Sequence, residues 1–157
     1  MSNHIPDYCD TPDEVAKNPE AKQYIARCAN GDPQAFAFAW SFWCFEHCMD
    51  DLIDGDKQQT PEVIVKSLLR FVDTLSNNEF YNKWKHSLFP LIVQACARWL
   101  DGDIMMRSEN ERDHIRAEVV KCGDIEIFLH VAYICGGWDY MRSIKDLRTY
   151  DRNDEEK

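Results

Sequence analysis

Apolar and polar positions recur along this chain with the period of an α-helix. Thr11-Pro12-Asp13-Glu14 has the form of a capping box with proline at the first helical position, and predicts a short helix. Asn18-Pro19 restarts it and Asn30-Gly31 ends it. Asp32-Pro33 caps the next helix, which runs to about Asp54 and stops at Gly55. Alternating Ala and Phe at its start fit a strand too, but the length of the apolar run and the cap favour helix. Thr60-Pro61-Glu62 opens a helix to about Leu75, with Val63, Ile64, Ser67, Leu68, Phe71 and Leu75 on its apolar face. Asn77-Asn78 begins a segment carrying Phe80, Trp84 and Leu88, which Pro90 kinks or breaks. The pattern resumes to Leu100 and ends at Asp101-Gly102-Asp103. A last long helix is expected from about Ser108 to Cys135, with Gly136-Gly137 interrupting it and a shorter helix from Trp138 to Leu147. No strand, hairpin, repeat or linker signal stands out. The expectation is an all-α, compact single-domain bundle of five to seven helices over residues 1–150, with a charged tail at 151–157.

Composition narrows the partners. With 157 residues the chain suits one domain with a real core. Its net charge of −10 disfavours direct nucleic-acid binding and favours a basic protein surface, or a phosphate-containing small molecule held through metal ions. No apolar run is long enough for a membrane span, which takes roughly 20 residues. The first residues lack the basic and apolar parts of a signal peptide, so a cytoplasmic protein is expected. Seven cysteines, without a C-x-x-C pair or zinc spacing, read as reduced core thiols.

The chemistry concentrates in Ala35–Lys57. On one helix Glu46, Asp50, Asp54, His47 and Asp51 fall within an arc of roughly 140°. Phe36, Trp40 and Trp43 point nearly the same way one to three turns earlier, so an aromatic wall leads into a carboxylate cluster. Asp50-Asp51-Leu52-Ile53-Asp54 is a D-D-x-x-D pentad. Three carboxylates so close stay ionised cheaply only if solvated or neutralised by a cation. A hard cation such as Mg²⁺ takes oxygen ligands and often bridges to phosphate. Asp50, Asp51, Asp54 and His47 are therefore the candidate metal ligands, Trp40 and Trp43 the candidate platform for the organic part of a ligand, and Lys57 a point charge for a phosphate. The plain alternative is a solvated acidic helix end. Further on, Glu126 and His130 are i,i+4 neighbours in a nearly all-apolar stretch. They pair with each other or with a neighbouring helix, or they face the pentad and complete an acid–base site. His114 and Glu118 read as a surface pair.

The segment Trp43–Asp54 resembles the first aspartate-rich helix of prenyl-diphosphate and terpene synthases. That resemblance implies an all-α fold in which Asp50, Asp51 and Asp54 hold Mg²⁺ on a substrate diphosphate below an aromatic pocket. It covers about a dozen residues. The same three aspartates also resemble, with the shorter acid, the E-E-x-x-E helix of all-α nucleotide pyrophosphohydrolases, which implies Mg²⁺, a nucleoside triphosphate and a homo-oligomer. The small, acidic, helical character is similar to that of uncharacterised bacteriophage proteins.

Two functions from different classes follow. One is a Mg²⁺-binding protein acting on a diphosphate or nucleoside triphosphate, with Glu126 or His130 orienting a water. The other is a non-enzymatic acidic interaction protein, of the kind that serves as an accessory or inhibitor, binding a basic site on a partner protein.

Overall fold

A computed structural model describes residues 19–55, 58–122 and 124–144, with the side chains of Asp54 and Asp124 outside that description. Among the described residues there are six α-helices: α1 Pro19–Ala29, α2 Pro33–Asp54, α3 Pro61–Asn77, α4 Glu79–Met106, α5 Glu111–Lys121 and α6 Asp124–Ser143. The capping box at Thr11, the end of the pattern at Leu147 and the tail at 151–157 lie outside them.

The helix starts follow local chemistry. The Asp32 carboxylate accepts from the Gln34 and Ala35 amides at 2.8 and 3.0 Å. The proline ahead of them has no amide to satisfy. Thr60 and Asn78 cap α3 and α4 through the Val63 and Tyr81 amides. Gly55 closes α2 with φ 72°, its amide donating to the Asp51 carbonyl.

Two boundaries differ from expectation. α4 runs unbroken through Pro90 and past Gly102 to Met106. Leu88, Ile92, Ala95 and Trp99 bury one continuous face across the proline, and that packing outweighs the lost backbone bond. The expected long helix from Ser108 is two helices. Asn110 caps α5 through the Arg112 amide, and the chain leaves helix at Cys122 before α6 begins. Gly137 breaks the regularity of α6, with φ 77° and ψ −175°. Essentially only glycine enters that backbone region.

α2 is the central helix, packed against α1, α3, α4 and α6. Its Phe38 and Phe42 are almost wholly buried. Phe38 lies over Tyr81 of α4, and Phe42 meets Phe71 of α3 and Phe128 of α6. Polar pins fix α3 on α2: the Thr74 hydroxyl donates to Ser41 at 2.9 Å and the Ser67 hydroxyl to the Cys44 carbonyl at 3.4 Å. At the opposite edge Asn30 donates to the Cys135 carbonyl at 3.2 Å, and the Tyr140 hydroxyl donates to the Arg27 carbonyl, joining α1 to α6.

Candidate functional site

The aromatic half of the 35–57 segment is internal. Phe36, Trp40 and Trp43 stack in sequence, with ring centroids 6.2 and 4.9 Å apart, and the His47 ring closes the column 4.0 Å from Trp43. The helical repeat places these rings one above the next. Trp40 and Trp43 are buried, so each indole spends a face on its neighbour rather than standing open as a ligand platform.

The acidic half spreads outward. Asp50 Oδ1 lies 3.8 Å from Lys121 Nζ at the end of α5. Asp51 Oδ2 accepts from the Gln59 amide, in the connection to α3. His47 Nδ1 sits 3.0 Å from the Trp43 carbonyl. That carbonyl only accepts, so Nδ1 carries the proton and Nε2 the lone pair of the neutral ring. Glu46 is buried, and its charge adds to burial in raising the Cys96 thiol above its ordinary range. Lys57 lies outside the described residues, as does the Asp54 side chain. Among the described residues no three His, Cys, Asp or Glu side chains converge as a metal-binding group.

Glu126 and His130 go separate ways. Glu126 is exposed and pairs with Arg98 of α4 at 2.7 Å. His130 Nε2 is buried with no hydrogen-bond partner among the described residues, and burial holds the imidazole below its ordinary pKa. α2 and α6 do touch, through Phe42 and Phe128 rather than through acids. His114 Nε2 lies 2.7 Å from the Ser108 carbonyl and so braces the turn into α5.

Apolar side chains that do not go inside form a second constellation. On α3, Val65, Leu68, Leu69 and Val72 are each at least half exposed. Their i, i+3, i+4, i+7 spacing is one helical stripe. Periodicity alone turns Leu68 inward, and the structure corrects this. The inner face of α3 is Ser67, Arg70 and Phe71, because the two hydroxyl pins on α2 fix its rotation. The signal for this surface is present in the sequence: Val65, Leu69 and Val72 make α3 apolar on two sides. On α4, Phe89, Val93, Leu100 and Ile104 are likewise exposed.

Comparison with protein-family models, curated proteins and solved structures returns no match to this chain.

Proposed function

We propose that this protein is a non-enzymatic interaction protein that receives a basic, amphipathic helix of a partner protein on the outer face of α3. The observation that carries the reading is the exposed stripe Val65–Leu68–Leu69–Val72. A helix face that stays apolar without neighbours to cover it marks a binding surface. Its charge setting selects the partner. α2 ends beside the start of α3 and its last turns carry Asp50, Asp51 and Asp54 with no lysine or arginine, Lys121 of α5 lying 3.8 Å from Asp50. A cationic rim on the incoming helix is drawn to that end. The test is affinity capture with wild type and with Leu68→Asp/Leu69→Asp, at low and high salt. The reading requires a partner lost both in the variant and at high salt, with circular dichroism unchanged. Capture that ignores both changes would sink it.

A second reading keeps the pentad as a Mg²⁺ site for a diphosphate or nucleoside triphosphate. It is favoured by the position of Asp50 and Asp51 at a helix C-terminus, where the macrodipole opposes acids unless something offsets them. The exposed imidazole of His47 beside these acids on the same helix supports it too. Thermal unfolding in Mg²⁺ with and without pyrophosphate separates the two. A stabilisation lost in Asp50→Asn/Asp51→Asn puts this reading first, and no stabilisation removes it.

A further inference from the structure

Independently of the α3 reading, we infer that the outer face of α4 is a self-association surface on which a second copy of this chain packs antiparallel.

Phe89, Val93, Ala97, Leu100 and Ile104 follow one another at steps of four, four, three and four, and all are exposed. On a helix they lie within an arc of roughly 80° over about 22 Å. The positions continuing the same face are His86 before the stripe and Arg107 after it, so the apolar part has defined ends. This four–three spacing is the seam that lets two helices interlock.

Area fits a dimer. A stable interface covers about 800 Å² per partner and is a little over half apolar, so each copy must supply roughly 450 Å² of apolar surface. Four large side chains, each half exposed or more, offer on the order of 100 Å² apiece. Ala97 lies between them.

Charge selects the occupant and the direction. The chain carries −10, which opposes most self-contacts. α4 is neutral: Lys83, Lys85 and Arg98 offset Glu79, Asp101 and Asp103. The neutrality is polar along the axis. Exposed Lys83 and Lys85 precede the stripe, while at its other end Asp101, Asp103, Glu109 and Glu111 outnumber Arg107 and Arg112, with Arg107 paired to Asp103 at 3.0 Å. Between the two groups only Arg98 is charged, and it is engaged by Glu126. Parallel pairing would place lysines on lysines. Antiparallel pairing about an axis near residues 96 and 97 sets each basic end against the other copy's acidic end. It also puts Phe89 opposite Ile104 and Val93 opposite Leu100.

The experiment is sedimentation velocity on the full chain over a dilution series, with disulfide trapping. Wild type should run as a dimer that dissociates on dilution. Leu100→Asp, which places two carboxylates in the seam, should weaken it by roughly a hundredfold or more with the melting temperature of the monomer kept. Lys83→Glu/Lys85→Glu should weaken it several-fold, and adding Glu109→Lys/Glu111→Lys should restore it. Ala97→Cys should form a symmetric intermolecular disulfide above the level given by the native cysteines, because the two Cα atoms lie within bridging reach, below about 7 Å. Lys83→Cys should not, because its two copies sit about 40 Å apart across the axis. A wild type monomeric at every concentration overturns the inference. So does trapping through Lys83→Cys, which would mean parallel pairing.

Discussion

α2 and α4 are both long and rich in large apolar side chains, yet they use them oppositely. α2 lies among four helices and buries Phe38, Trp40, Phe42 and Trp43. α4 buries Leu88, Ile92 and Trp99 and leaves Phe89, Val93, Leu100 and Ile104 outside. Inside, a ring is held by neighbours on every side and its loss is felt at once in stability. Outside, a leucine contributes almost nothing to the monomer, and its chemistry makes sense only when another surface covers it. Hydrophobicity alone therefore distinguishes neither role. What distinguishes them is which side of the helix the polar pins and caps turn inward.

The contrast breaks most sharply at Phe42, whose ring meets both Phe71 and Phe128. Phe42→Ala should cost about 3–5 kcal/mol in urea unfolding. Gly137→Ala should cost about 1–3 kcal/mol by the same measurement. Nothing beyond the adjoining chain lies within 4 Å of an added Cβ, so the loss would report backbone strain alone. Asp32→Ala removes the acceptor for two amides. It should cost about 1 kcal/mol, read as a lower denaturant midpoint with the slope unchanged.

His130 sharpens the comparison through pH. Its folded pKa lies below the ordinary 6.5, so between the two values the unfolded chain binds the proton and the folded one does not. Stability is then full above 6.5 and declines as pH falls through that value toward the folded pKa. In His130→Phe this component of the decline should vanish, checked by unfolding midpoints of both proteins on either side of 6.5. The smallest effect belongs to the outside, where Leu69 is half exposed. Leu69→Ser should keep the stability of the monomer, read from its thermal midpoint, within about 0.5 kcal/mol of wild type.

Helix starts are the most legible feature of the sequence. Asp32-Pro33, Thr60-Pro61 and Asn78 act on amides two or three residues away, and a local signal needs no knowledge of the rest of the molecule. Pro90 reads as a kink or a break and Gly102 as an end because their local preference is genuine, but the helix continues through both, held by packing along the buried face of α4. In the candidate site, spacing puts Trp40, Trp43 and His47 in one column, as the structure does. It cannot tell whether that column faces solvent or the core. Nor can it tell that Glu126 turns to Arg98 or Asp51 to Gln59, since those partners sit on other elements. The outer stripe of α3 is visible as excess apolar content, but its exposure depends on hydroxyl contacts between residues far apart in the chain.

The bonds from Asn30 to Cys135 and from Tyr140 to Arg27 bear on how the chain is made. They join segments more than a hundred residues apart. α1 can lie on α2 early, but it lacks its second partner until α6 has left the ribosome. Until then the side of α2 that meets Phe128 stays wet. Synthesis leaves an interval in which this aromatic surface is open to aggregation or to a chaperone, and the clasp between the first and last described helices ends it.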